Sequence, residues 1–358
     1  MTHLSPHPVS IGLIGPGKVG RALIGQFAAS RARLLSVAKI DLRVRAIASS
    51  KAMALADPML SLEHYRAALD AGLATDLAAF TAHVHAEQSP RTVIIDCTAS
   101  DVVADRYDGW LARGIHVITP NKHAGSGPLE RFGRIKAHRA QFRYEATVGA
   151  GLPVITTLRD LIDTGDEVLS IEGIFSGTLA YLFNRFDGSE PFSELVRSAR
   201  TLGYTEPDPR DDLSGTDVAR KLVILARENG WSTGLEHVEL ENLVPDTLRG
   251  LSVDAFMQKV DVLDGPMRLR LEAARAKHQV LRYVARLDAS GAARVGLTAL
   301  PPDHAFAHIR LTDNIVQFTT GRYRDNPLVV QGPGAGPEVT AAGVFADLLR
   351  VVSMAGRL

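Results

Sequence analysis

Cysteine is almost missing from this chain: Cys97 is the only one among 358 residues. A single thiol cannot build an internal disulfide framework, so the fold must rest on its core, as suits a reducing compartment. An excess of either charge is missing too. Lys plus Arg and Asp plus Glu each number 40, and that balance argues against a nucleic-acid binder, which carries a basic surplus. No apolar run approaches the roughly 18–20 residues that span a bilayer. The opening MTHLSPHPVS lacks the basic start and long apolar stretch of a signal peptide. These absences predict a cytoplasmic protein with neither membrane nor nucleic acid as partner. What remains is 46% hydrophobic and 22% charged, the make-up of a soluble globular chain. Its length exceeds one ordinary core, so two domains are expected.

Strand and helix signals alternate through the first third. Val9–Ile14, Leu42–Ala48, Thr92–Asp96 and Gly114–Thr119 read as strands. The third, TVIID, is a continuous apolar run of the kind buried on both faces of a parallel sheet. This pattern predicts an α/β fold with a doubly wound, Rossmann-like parallel sheet. The character changes after the glycine-rich VGAGLPVI. Glu167–Phe175 reads as a strand, Thr178–Arg185 and Phe192–Thr201 as helices, with further strands near 280–298 and 315–319. Thr340–Val352 is helical and apolar on one face. No internal repeat is visible.

Gly15-Pro16-Gly17-Lys18-Val19-Gly20 satisfies G-x-G-x-x-G with a strand before it and a helix after. The first glycine permits a tight turn, the second lets a pyrophosphate approach the backbone, and the third packs helix on strand. The pattern alone also fits a plain glycine-rich turn; its context favours a nucleotide site. The acid that normally holds the ribose of NAD, about 20 positions on, is absent. Ser49-Ser50-Lys51 stand there instead, which leans toward NADP over NAD. Thr98, at the end of a buried strand, is a candidate cofactor contact or simply a helix-capping residue. Cys97 could form a thioester, but its strand-end setting beside the cofactor disfavours that role.

Thr201–Lys221 is the most informative segment: TLGYTEPDPRDDLSGTDVARK. Glu206, Asp208, Asp211 and Asp212 crowd a Pro-punctuated loop that no packing argument requires. Such a loop repels itself unless a cation joins it, and an ammonium-bearing substrate would serve. Asp217 and Lys221 follow one helical turn apart. A lysine beside carboxylates at the mouth of a site is a candidate proton carrier. The plainer account is a capping box at Ser214-x-x-Asp217 followed by an ordinary i,i+4 ion pair. Lys122, in Thr119-Pro120-Asn121-Lys122, lies at a sheet's ligand edge; alone it would read as a solvated loop lysine.

These segments resemble those of homoserine dehydrogenase. GPGKVG, TPNK (119–122), YEATVGAGLPVI (144–155), GIFSGTLAY (173–181), LGYTEPDPRDDLSGTDVARKLVILARE (202–228) and NPLVVQGPGAGPEVTAAGV (326–344) match in order. The resemblance is strongest to the short form, without aspartokinase or ACT domain. It implies NAD(P)-dependent interconversion of L-homoserine and L-aspartate 4-semialdehyde, on the route to threonine, methionine and isoleucine, by a homodimer. It implies a dinucleotide domain over 1–153 completed by 337–358, and an α+β substrate and dimerisation domain with a mixed sheet over 154–336. Lys221 and Lys122 would be the catalytic pair. Glu206, Asp212, Asp217 and Thr178, with Lys122, would hold substrate. Gly15, Gly17, Val19, Gly20, Thr98, Lys122 and Gly336 would line the cofactor. Glu145, Val148, Ala150 and Leu152 would hold a monovalent cation, Na⁺, largely through carbonyls. On the same scaffold, another amino- or hydroxy-acid dehydrogenase is the alternative enzyme, and a non-catalytic dinucleotide sensor the alternative outside catalysis.

Overall fold

The computed structural model describes residues 6–86 and 91–354. Half of the N-terminal segment read for a targeting signal lies outside them. The chain divides into two compact units, Met1–Gly151 with Gly336–Leu358, and Leu152–Ala335. The sequence reading draws these boundaries at 153/154 and 336/337.

The first unit is built on seven strands: β1 (His7–Ile14), β2 (Ile40–Ala48), β3 (Ala52–Leu55), β4 (Leu73–Ala74), β5 (Thr92–Asp96), β6 (His116–Ile118) and β7 (Phe142–Arg143). Their order is β4-β3-β2-β1-β5-β6-β7. From β2 to β7 every pairing is parallel. Val9, Ile11, Leu13, Val93, Ile94 and Ile95 have no exposed surface, as expected where both faces of a sheet are covered. The expected parallel sheet is present, with one difference: β3 and β4 join its edge antiparallel. Only Ser49–Lys51 separate β2 from β3, and a parallel return needs a crossover of a dozen or more residues. The Ser49 hydroxyl closes that turn, accepting from the Lys51 and Ala52 N–H groups at 3.1 and 3.0 Å.

The helix Pro337–Met354 belongs to this unit because its apolar stripe finishes the unit's core. Ala341, Val344, Phe345 and Leu348 recur at helical spacing and share one cluster with Val9, Ile11, Leu23 and Phe27. The rings of Phe27 and Phe345 meet edge to face at 5.0 Å.

The second unit carries a mixed sheet of β8 (Val168–Ile174), β9 (Val238–Leu240), β10 (Val280–Asp288), β11 (Ala293–Leu300), β12 (Asp313–Thr320) and β13 (Leu328–Pro333). The order is β13-β12-β8-β10-β11-β9, antiparallel except for β9 beside β11. Helices Gly177–Arg185 and Thr216–Glu228 supply the residues discussed below. The second buries a continuous face of Val218, Ala219, Leu222, Val223 and Leu225. It does not start at Ser214. Its N-cap is Gly215 at φ +70°, and Ser214 instead closes a short helix, Pro209–Leu213, donating its hydroxyl to the Asp211 carbonyl at 2.9 Å. The expected capping box is therefore not formed. Among the described residues no helix is long and apolar enough to cross a membrane.

Candidate active site

At the end of β1 the chain turns through Gly15, at φ +87°, into the helix Lys18–Arg33. The three motif glycines differ in what surrounds them. A Cβ at Gly20 would lie 2.3 Å from the Gly15 carbonyl oxygen, so only glycine lets the helix start there. Beyond its chain neighbours and its own helix, a Cβ at Gly17 would meet no atom of the described residues within 4 Å, which leaves that backbone open to a ligand. Gly17 caps the helix and has no side chain with which to accept from its first N–H groups. An anion such as a pyrophosphate fits that end. β1 lies between β2 and β5, so the chain leaves it on opposite sides in turn. The carboxyl ends of β1 and β5 therefore form the switch-point crevice where doubly wound sheets bind ligands.

Thr98 stands at that crevice: a Cβ on Gly15 would lie 2.7 Å from its methyl group. Its hydroxyl accepts the Ser100 N–H at 3.1 Å, and Ser100 caps the helix Asp101–Ala104. It thus shapes a cap and borders the glycine loop at once. Val19 lies in the first helical turn, half-buried against the core, and Gly336 at φ +116° accepts from Thr340 at the start of the last helix. Burial first, and then the Asp96 carboxylate, push the Cys97 thiol up, which leaves no reactive thiolate for a thioester.

Sequence reasoning missed the buried network behind Lys122. The Asp96 carboxylate, with no exposed surface, accepts from the Thr98 N–H at 2.8 Å, Asn121 Nδ2 at 3.0 Å and the Tyr107 hydroxyl. Asn121 also donates to the Ser100 carbonyl at 2.9 Å and accepts the His123 N–H at 3.0 Å. Burial raises the Asp96 pKa, against the pull of these donors. The network ties the ends of β5 and β6 together and holds Lys122 at the start of the short helix His123–Ser126. An acid ending a continuous apolar strand was the available signal.

In the second unit, two groups of residues converge. Thr178 occupies the first turn of the helix Gly177–Arg185, capped by Ser176. Its Oγ1 lies 2.5 Å from the Tyr204 carbonyl and 2.7 Å from Asp212 Oδ1. One hydroxyl proton cannot serve both oxygens, so Thr178 donates to the Tyr204 carbonyl or to Asp212, one at a time. Asp212 Oδ2 also accepts the Glu206 N–H at 2.8 Å. Burial first, then repulsion from Glu206 and Asp217, push the Asp212 pKa up to about 6.

Lys221 forms the centre of the other group. It is 9% exposed, and its ammonium lies 2.8 Å from Asp217 Oδ2 and 2.6 Å from the Phe175 carbonyl. Phe175 follows β8, so strand end, acidic segment and helix all contribute. Asp208 takes no part. It caps the helix Pro209–Leu213 and pairs with Arg210, whose guanidinium also donates to the Leu248, Arg249 and Leu251 carbonyls.

The sequence reading assigns a cation to backbone groups of Glu145, Val148, Ala150 and Leu152. The Glu145 carboxylate lies 3.4 Å from Arg350, and its carbonyl accepts the Val148 N–H at 3.3 Å. Ala150 is left-handed at φ +54°, and the Leu152 carbonyl accepts the Val154 N–H at 2.8 Å. A carbonyl oxygen that accepts one bond keeps a second lone pair, so the Glu145 and Leu152 carbonyls each retain an oxygen donor of the kind a hard ion takes.

A glycine loop opening a helix at a switch point defines a dinucleotide-binding protein. Comparison narrows this. Residues 15–145 match the homoserine dehydrogenase NAD-binding domain, and residues 153–349 match the homoserine dehydrogenase domain. A bifunctional aspartokinase/homoserine dehydrogenase of Zea mays is 48% identical over 99% of this chain; the chain spans 39% of that relative's length. The homoserine dehydrogenase of Emericella nidulans is 42% identical, over 96% of this chain and 98% of its own. The crystal structure of a Candida auris protein of unknown function superposes with a TM-score of 0.89 at 37% identity, covering 98% of this chain and 99% of that one. The chain belongs to the homoserine dehydrogenase family.

Proposed function

We propose that the chain interconverts L-homoserine and L-aspartate 4-semialdehyde using NAD(P). The observation that carries this reading is Lys221, a buried amine between the Asp217 carboxylate and a backbone carbonyl. In the oxidation direction the hydroxyl proton passes to the neutral Lys221 amine as the C4–H bond breaks and the C4–O bond becomes a carbonyl. The nicotinamide, when bound, takes the hydride; the products are aldehyde, reduced dinucleotide and one proton. Lys122 stabilises negative charge on the oxygen while the proton leaves. Glu206, Asp212 and Asp217 receive the substrate's ammonium, and with a pKa of about 6 Asp212 is ionised for that role at neutral pH. Thr178 orients Asp212. In the reverse direction, the contacts of Lys221 with Asp217 and Phe175 hold the ammonium form that delivers the proton.

NADP is the favoured cofactor. No carboxylate follows β2, and Ser50 and Lys51 are exposed there, although Ser49 is occupied by its own turn. The carbonyls of Glu145, Val148, Ala150 and Leu152 would hold Na⁺. The working form is a cytoplasmic homodimer. The test is reduced-nicotinamide absorbance with homoserine, with related hydroxy amino acids, and with each cofactor. Lys221→Ala should lose about 10²–10⁴ in kcat while cofactor affinity stays within a few-fold. Unimpaired oxidation of homoserine by that variant refutes the role of Lys221.

A further inference from the structure

Asn314 lies in β12, paired with Gly332 of β13, and has no exposed surface. Its Nδ2 donates to the Phe175 carbonyl at 3.1 Å, the same oxygen that receives the Lys221 ammonium at 2.6 Å. The carboxamide cannot turn over, because that would set Oδ1 against the Phe175 oxygen, acceptor against acceptor. The backbone also packs on it: a Cβ at Gly334 would fall 2.1 Å from Asn314 Cγ. The other end of the amide is unserved, since Oδ1 is buried with no hydrogen-bond partner among the described residues. A buried acceptor without a donor costs stability, and an apolar side chain would fill the space without that penalty. Stability therefore does not account for an asparagine at this position.

We propose that Asn314 is a positioning residue for Lys221, acting through the Phe175 carbonyl. By donating to that oxygen it fixes the carbonyl's direction and takes one of its two lone pairs. The amine of Lys221 is then aimed by an oxygen that cannot shift toward it. The role rests on the reading of Lys221 as the proton carrier, with Asn314 acting through the Phe175 oxygen.

Asn314→Ala and Asn314→Val remove the donor from a small, buried site. Both are compared with wild type and with Lys221→Ala for folding, kcat, KM for each substrate, and the solvent deuterium isotope effect. A misaimed base should cost roughly 10- to 100-fold in kcat, with cofactor KM within about 3-fold. The solvent isotope effect on kcat should rise, because proton transfer becomes the slower step. If the Asn314 variants keep kcat within about 2-fold of wild type while Lys221→Ala is inactive, the positioning role is wrong and the Lys221 reading stands. Activity in Lys221→Ala removes that reading and this role with it. Failure of both Asn314 variants to fold overturns the proposal in favour of a structural role. So does a loss of rate with cofactor KM rising in step and the isotope effect unchanged.

Discussion

Asp212→Asn should make the protein more stable and less active, and the two effects can be measured apart. The Asp212 carboxyl is held by Thr178 and the Glu206 N–H, yet burial and two neighbouring acids raise its pKa from 3.8 to about 6. The unfolded chain releases this proton near pH 4 and the folded chain near pH 6. Between them the native state binds more protons, so stability falls as pH rises through that window. A shift of about two pKa units corresponds to roughly 3 kcal/mol at neutral pH. Asparagine has the shape of the protonated acid and never ionises. The variant should match wild type near pH 4 and exceed it by up to about 3 kcal/mol above pH 7, roughly 6–12 °C for a unit of this size.

Thermal melts of both proteins across this pH range give the stability difference. A Trp110→Phe background leaves Trp231, just beyond the helix Thr216–Glu228, as the fluorescent reporter in the second unit. Kinetics give the other half. Loss of a charged hydrogen bond to the substrate ammonium, about 1.5–3 kcal/mol, should lower kcat/KM for homoserine by roughly 10- to 150-fold, with cofactor KM unchanged. A stability gap that is the same at pH 5 and pH 8 would refute the strained-acid account. A gap that opens as described, with homoserine kinetics unaltered, would remove Asp212 from the substrate site.

The remaining expectations are brief. Gly17→Ala should fold normally and raise cofactor KM about tenfold or more, whereas Gly20→Ala should be destabilised by roughly 1–3 kcal/mol from its clash with Gly15. Cofactor titration beside thermal melts separates the two. Cys97→Ala should keep activity within about 3-fold, and native enzyme should resist a thiol reagent that labels it once unfolded. Homoserine oxidation should quicken from about pH 7 to about pH 9, because the reaction releases a proton and needs a neutral amine; a flat profile argues against a lysine base.

The parts legible in the sequence were those whose signal is local. Thr92–Asp96 is a strand over the residues predicted, because five consecutive buried positions leave no polar face to misread. Phe192–Thr201 is a helix over the range read from its apolar spacing. The edge pair β3 and β4 passed unnoticed, since four and two residues give no period. β13 was hidden by its exposed alternate positions and by Pro333. Ser214 was misread as a cap because Ser-x-x-Asp is a purely local pattern, and Gly215 overrides it by entering the helix from a left-handed conformation.

The acidic segment shows why composition alone cannot divide structural from functional charge. Asp208 and Asp212 lie four residues apart, one capping and one within the short helix Pro209–Leu213. Asp208 finds Arg210, and Arg210 in turn finds carbonyls 38 to 41 residues further along, so the Arg210 guanidinium lowers that acid's pKa and the pair fixes the segment. Asp212 meets no such cation among the described residues, meets Thr178 instead, and is pushed the other way. The distinction arises only once distant segments are packed. The same holds for Phe175, Lys221 and Asn314, three residues spread over 139 positions that share a single oxygen atom. A charge that meets no cation of its own fold is the one a ligand can use, which favours Asp212 over Asp208 in the proposed site.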